Sequence, residues 1–242
     1  MILSTLRSLI CIPTYNEADN IALIIQEVFR FVPDACEILV VDDGSPDGTA
    51  EIVERLMVQN SRLHILKRNQ KNGLAAAYLA AFRWGMEQGF DWIFEMDADF
   101  SHNPRHLREF FQTIDDGKSD AVLGSRYVKG GGVSNWSKER LLLSRCGSIY
   151  ARSVLRFELK DWTGGFNAWS RKVLDSIDLP SLQSKGYAFQ IELKYRSLNR
   201  HFRLTEIPII FEERRAGESK MSGSIVKEAI FGVLSLKLRE HN

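Results

Sequence analysis

Cysteine is scarce: Cys11, Cys36 and Cys146 are too few, and odd in number, for a disulfide framework. No CxxC pair and no Cys/His metal spacing occurs, which excludes the zinc-ribbon and zinc-finger classes. Cys11 and Cys36 lie in or beside strand-like segments, the setting of buried reduced thiols, and this predicts a reducing compartment such as the cytosol. Long hydrophobic runs are also missing. No stretch of about 18 apolar residues exists, so no transmembrane helix is predicted. The N-terminal MILSTLRSLICIP leads straight into a strand without a small-residue cleavage site and does not read as a signal peptide. Charge of one sign is lacking too. The formal net charge of +1 gives no reason to expect a nucleic-acid partner. No repeat, low-complexity tract or linker divides the chain.

What is present is the composition of an ordinary globular protein, with 44% hydrophobic and 26% charged residues. A chain of 242 residues can bury a sizeable core. Apolar residues at Ile21, Ile24, Ile25, Val28 and Phe29 have helical spacing, as do Ile52, Val53, Leu56 and Met57. Between such helices run short apolar strands at 9–12, 37–41, 63–67, 92–96 and 121–123. Strand and helix alternate through the first half. This predicts an α/β fold, a largely parallel Rossmann-like sheet with helices on both faces. The second half is less regular. It has a Gly130-Gly131-Gly132 loop, helices over 137–157 and 189–198, a short strand at 166–169, and an edge strand over 204–211 interrupted by Pro208.

Ligands of such sheets bind beyond the carboxyl ends of the strands. Three polar motifs fall there: Pro13-Thr14-Tyr15-Asn16-Glu17, Asp42-Asp43-Gly44 and Asp97-Ala98-Asp99. If the strand continues through Asp97 and Asp99, both carboxylates point to one side, an arrangement that favours a hard divalent cation between them. The competing reading is that Asp99 or Ser101 caps the helix beginning near Pro104. Asp42 and Asp43 precede a turn, with Thr49 as the expected helix cap, and their carboxylates suit hydrogen bonds from a ribose or base. From Arg126 to Lys160 eight Lys/Arg stand against two Glu, which suggests an anionic ligand, although a solvated helix face explains a charge run equally well. Arg126 directly follows a strand on the same rim. His102 and His106 read first as polar contacts at a helix start.

These motifs resemble family 2 glycosyltransferases and, within them, the dolichyl-phosphate (polyprenol monophospho-) mannose synthase group. The likeness extends through Lys71-Asn72-Gly73-Leu74, Gly124-Ser125-Arg126-Tyr127, Gly164-Gly165-Phe166, Gly186-Tyr187-Ala188-Phe189-Gln190 and Arg214-Arg215-Ala216-Gly217-Glu218-Ser219-Lys220. It implies a GT-A type fold and inverting transfer of mannose from GDP-mannose to dolichyl or polyprenyl phosphate. It implies that Pro13, Tyr15, Glu17, Asp42 or Asp43, and Lys71 hold the donor, with Arg215 and Lys220 in a loop that closes over it. Asp97 and Asp99 would bind Mg2+ or Mn2+, with Ser101 where some relatives carry Gln as a further metal ligand. Arg126, Arg140 and Ser144 would receive the acceptor phosphate, making Asp97, Asp99 and Arg126 the catalytic set. Ala75 replaces a usual Gly, and Trp162 a frequent Pro or Leu.

Residues 1–220 read as the catalytic domain and 221–242 as an appended amphipathic helix. Its apolar face includes Ile225, Ile230, Val233 and Leu236, beside Lys227, Lys237 and Arg239. It is expected to lie on the membrane surface at the cytoplasmic face, to dock on a small membrane subunit, or to pack on its own domain. The rivals are the same fold with UDP-glucose or a hydroxyl acceptor, and a non-catalytic nucleotide-sugar binder. A Rossmann oxidoreductase lacks its GxGxxG.

Overall fold

The computed structural model describes residues 6–182, 184, 186–213 and 232–238. In the first half β1 (Ser8–Thr14), α1 (Ala18–Phe31), β2 (Cys36–Asp42), α2 (Thr49–Met57), β3 (Leu63–Lys67), α3 (Leu74–Glu87) and β4 (Trp92–Glu95) alternate. A 3-10 turn (Pro104–His106) precedes α4 (Leu107–Asp115), β5 (Ala121–Ser125) and the short β6 (Gly132–Val133). Then come α5 (Lys138–Leu155), β7 (Asn167–Ser170), α6 (Arg171–Ser176), α7 (Gly186–Asn199), β8 (Leu204–Pro208) and β9 (Ile210–Phe211). Residues 232–238 form a last helical segment, α8.

Seven strands form one sheet in the order β3-β2-β1-β4-β7-β5-β8. Its pairs are parallel except those made by β7, which runs antiparallel to β4 and β5. The sheet is buried on both faces, as continuous apolar strands require. Along β1, Leu9 and Cys11 enter one core cluster with Tyr78 and Phe82 of α3 and Leu193 of α7. Ile10 and Ile12 enter the other with Ile21 of α1 and Phe110 and Phe111 of α4. The side-chain period of two thus feeds two helical layers. Trp162 is fully buried and belongs to the first cluster, so its departure from Pro or Leu fills the core.

Several sequence expectations shift. The 204–211 strand is two strands, because Pro208 ends β8 at the sheet edge and β9 pairs with β6 instead. β4 stops at Glu95, so Asp97 and Asp99 lie in a turn rather than on a continued strand. Thr49 is the first residue of α2, not its cap, and Gly48 occupies the cap position in the left-handed region. Of the proposed C-terminal helix, 222–231 and 239 lie outside the described residues. In α8, Val233 and Leu236 are buried against the first core cluster, while Leu234 and Leu238 face outward.

The turn after β5 is closed by Gly131 N–H donating to Val128 O (2.9 Å), with Gly130 at φ +92° as a type II turn demands. A Cβ on Gly131 would collide with the Ser125 carbonyl oxygen and stand 3.1 Å from the Arg126 carbonyl carbon. Both obstacles are backbone and cannot rotate away. Gly131→Ala is therefore expected to cost about 2 kcal/mol. That corresponds to a thermal midpoint roughly 5 °C lower, read by calorimetry.

Candidate active site

The carboxyl ends of β1, β2 and β3 form one end of the site. Asp42 is consumed by the fold there. Its Oδ1 accepts from Thr14 Oγ1 (3.0 Å) and Ser45 Oγ (2.6 Å), and its Oδ2 from the N–H groups of Gly44 and Ser45 (3.1 and 3.0 Å). Asp47 likewise ties Ala18 N–H and Thr49. Of the two adjacent carboxylates, Asp43 is the one that borders other charges. Its Oδ1 lies 2.9 Å from Arg68 Nη1, a charge contact without hydrogen-bond alignment. Burial raises the Asp43 pKa, opposed by Arg68 and Lys71. Lys71 Nζ stands 3.6 Å from the centre of the Tyr15 ring. Glu17 precedes α1, its Oε2 accepting from Asn20 and its N–H donating to Thr49 Oγ1. Pro13 lies in β1, in register with Val41.

The acidic turn follows β4. Asn103, not Asp99 or Ser101, caps the 3-10 turn by accepting Arg105 N–H (3.1 Å). Capping therefore does not account for the acidic pair. Asp99 Oδ1 accepts from Ser101 N–H (3.0 Å) and Oγ (2.6 Å), so the Ser101 hydroxyl orients the carboxylate. Phe100, between them, is held at φ +63°, an unusual conformation for an aromatic residue and one that clusters at functional sites. Beneath the turn the buried Tyr78 hydroxyl has no hydrogen-bond partner. Burial raises its pKa, and the charges of Asp97, Glu95 and Asp99 raise it further. Among the described residues no third His, Cys, Asp or Glu completes a closed metal cage. Two carboxylates with an open shell fit Mg2+ or Mn2+, ions that take their remaining ligands from phosphate oxygens and water.

Both histidines are acceptors of backbone N–H groups. Asp97 N–H donates to His102 Nδ1 (3.0 Å), and Ile210 N–H donates to His106 Nε2 (3.1 Å). The Asp97 carboxylate lies 3.8 Å from the same His102 nitrogen. Burial lowers the His106 pKa and keeps that ring neutral.

The basic end begins where β5 stops. Because β7 is antiparallel, its first residue, Asn167, pairs with Glu95 near the end of β4 and with Leu123 of β5. The loop before β7 is thereby delivered to the same rim. Asp161 in that loop takes Arg126 in a bidentate grip, through Nε (2.7 Å) and Nη2 (2.7 Å), and also accepts Arg126 N–H (3.0 Å). Thr163 Oγ1 accepts from Nη2 as well (2.8 Å). Tyr127, Trp136 and Phe211 surround the Arg126 guanidinium at 5.2–5.8 Å. Arg140 stacks on Trp136 at 4.0 Å and pairs with Glu213 (3.1 Å), and its buried Nε has no hydrogen-bond partner. Ser144 accepts the Tyr127 hydroxyl (2.7 Å). Phe211 links the two ends, touching His102 edge-on at 5.4 Å and Trp136 at 5.2 Å. Arg215 and Lys220 lie outside the described residues.

Asp161, Thr163, Lys194, Arg68 and Phe211 were not legible as site residues in the sequence. Lys194 is fully buried and donates to the carbonyls of Asp161 (3.0 Å), Trp162 (3.3 Å) and Gly164 (2.9 Å). Burial pushes its pKa down to about 8. Glu95 is buried beside it and is pushed up to about 7 by desolvation, against hydrogen bonds from Trp169, Asn167 and Gln190. A signal was available: Gln190, Glu192 and Lys194 alternate with the apolar Phe189, Ile191 and Leu193 along α7. Burial alone would raise the Asp161 carboxyl, but the Arg126 charge and hydrogen bonds hold it down at about 2. A depressed carboxyl stabilises the fold above its unfolded value near 3.8 and loses that contribution as pH falls through about 2. Asp161→Asn should thus cost about 3 kcal/mol at pH 7. In thermal unfolding the gap from the parent should narrow as pH falls from about 4 toward 2.

The model of the glycosyl transferase family 2 matches residues 9–178. A polyprenol monophosphomannose synthase from Mycolicibacterium smegmatis is 47% identical over 236 residues, 97% of this chain and 88% of that protein. An undecaprenyl-phosphate mannosyltransferase from Micrococcus luteus is 43% identical over 94% of this chain and 93% of its own. Among solved structures, glucosyl-3-phosphoglycerate synthase from Mycobacterium tuberculosis, with Mn2+, UDP-glucose and phosphoglyceric acid, superposes with TM-score 0.71 at 18% identity, covering 98% of this chain and 81% of that one. A mannosyltransferase from Pyrobaculum calidifontis, with GDP-Man and Mn2+, gives TM-score 0.60 at 16% identity, covering 98% and 74%. These two likenesses concern the fold. The chain belongs to glycosyl transferase family 2 and has the GT-A architecture.

Proposed function

We propose that this protein transfers mannose from GDP-mannose to the phosphate of a dolichyl or polyprenyl phosphate, with inversion at the anomeric carbon and release of GDP. One observation carries the reading: acidic and guanidinium groups follow β4 and β5, which end at the same rim of a single sheet on either side of the antiparallel β7, and are joined through Phe211. The two relatives above 40% identity, named for mannosyl transfer to prenyl phosphates, support it. Tyr15, Lys71, Asp43, Glu17 and the backbone around Pro13 hold the nucleoside. Arg68 joins them, and Asp42 shapes the turn. Arg215 and Lys220, outside the described residues, complete the donor contacts.

Asp97 and Asp99 would hold Mg2+ or Mn2+, with Ser101 fixing the angle of Asp99. When bound, the ion supplies positive charge to the departing diphosphate. A phosphate monoester is already anionic near neutral pH, with a second pKa of about 6, so attack on the anomeric carbon needs no general base. This accords with two histidines whose ring nitrogens already accept backbone N–H groups. What the acceptor needs is cations. Arg140 and Ser144 contact its phosphate, and Arg126 adds its field while Asp161 fixes its place. No helix among the described residues is long and apolar enough to cross a membrane. Attachment at the cytoplasmic face of a membrane, with or without a small membrane subunit, brings the protein to its lipid substrate.

Asp99→Asn is expected to lower turnover at least about 100-fold while the thermal midpoint holds. The assay is radiolabelled GDP-mannose with a polyprenyl phosphate, followed by organic extraction; unchanged turnover refutes the site. Arg140→Ala should raise the KM for lipid phosphate about tenfold and leave donor binding unchanged. An equal loss of donor affinity would reassign Arg140 to the nucleotide.

A further inference from the structure

Helix α5 buries Ser148, Ala151 and Leu155 against the domain. Its opposite side carries an apolar stripe. Leu142, Cys146 and Ile149, spaced four and three apart, point outward together, with Leu142 at 65% and Ile149 at 56% exposure. Heptad spacing sets Lys138, Arg145 and Arg152 in a row along one flank. Beside Ile149 the surface opens into a cavity of about 300 Å3. Arg145, Arg152 and Lys160 line it with Tyr127, Ile149 and Leu159. Arg68, Arg126 and Arg140 all pair with carboxylates, whereas Arg145, Arg152 and Lys160 form no salt bridge with any carboxylate among the described residues. The nearby Glu206 is engaged by the N–H groups of Lys160 and Asp161. Glu139 lies on the other flank of the stripe.

We propose that this face of α5 docks on an anionic lipid bilayer. The phosphate of a phospholipid headgroup occupies the Arg145–Arg152–Lys160 cavity, and Leu142 and Ile149 enter the interface beside it. A cation row flanking an apolar stripe on one helix is the pattern of interfacial helices, and the uncompensated cations select negative headgroups. This headgroup is distinct from the acceptor. It rests on the transferase reading only in its purpose: Tyr127 borders the cavity and bonds Ser144, so a docked bilayer lies next to the acceptor end.

The test uses the full chain, without prenyl phosphate, in co-sedimentation with two vesicle types: phosphatidylcholine alone, and phosphatidylcholine mixed with phosphatidylglycerol. Binding to the mixed vesicles should be at least about tenfold tighter and should weaken with salt. Arg152→Gln combined with Lys160→Gln should weaken it roughly fivefold for each cation removed. Ile149→Asp should weaken binding to both vesicle types. These residues are exposed or at a cavity wall, so the fold survives. With a short, water-soluble prenyl phosphate as acceptor, kcat/KM of these variants should match the parent. Equal affinity for the two vesicle types, or full binding by the double variant, overturns the proposal. No turnover of the short acceptor by the parent, with vesicle binding intact, would instead count against the transferase reading alone.

Discussion

The buried pair between Arg126 and Asp161 is the contact on which the basic end of the rim depends. A guanidinium that donates two parallel hydrogen bonds to a carboxylate, itself anchored by the same residue's backbone N–H, has one orientation. Such a pair adds little net stability, because desolvating both charges offsets much of their attraction. Losing one partner is costly, since the other is left buried and unpaired. Its contribution is therefore placement. Lys194 extends the constraint by gathering three carbonyls of the same loop, so the position of Arg126 is set in part from α7.

That constraint exists because one strand runs the wrong way. Were β7 parallel, the loop carrying Asp161 would leave the sheet at its opposite edge. Running antiparallel between β4 and β5, it brings Asp161, Thr163 and Gly164 to the rim where both neighbours end. Gly164 is suited to this crowding: a Cβ there would stand 3.1 Å from the Gly124 carbonyl oxygen and 3.3 Å from the Asp161 carboxyl carbon. Gly131 meets a similar constraint in the turn after β5, against the backbone of Ser125 and Arg126. Glycines that looked like loop punctuation are close approaches of backbone to backbone.

The rim is divided by charge. Carboxylates of Asp97 and Asp99 follow β4, guanidiniums of Arg126 and Arg140 lie after β5, and Phe211 and Trp136 separate them with apolar surface. An anionic nucleophile meeting an anionic leaving group suits that arrangement: with a divalent ion on the carboxylates, cations would stand at both ends and there would be no proton to remove. His102 and His106 fit the same scheme, because they lend ring nitrogens to backbone N–H groups and thereby hold the acidic turn and β9 in place.

Alternating apolar periodicity determined the α/β class, because strands buried on both faces and helices with one apolar stripe have different periods. The strand-end motifs Tyr15–Glu17, Asp42–Asp43 and Asp97–Asp99 were legible for the same reason: local polarity after an apolar run marks the rim. The division of labour between Asp42 and Asp43 was not, since it depends on Thr14 and Ser45 approaching one carboxylate and Arg68 the other. Nor was Asp161. A lone carboxylate 35 residues beyond Arg126 carries no local signature, and only the reversed strand makes them neighbours. Periodicity is a property of adjacent residues and survives in the sequence, whereas ion pairs, buried lysines and aromatic bridges are properties of chain return, which tertiary packing alone decides.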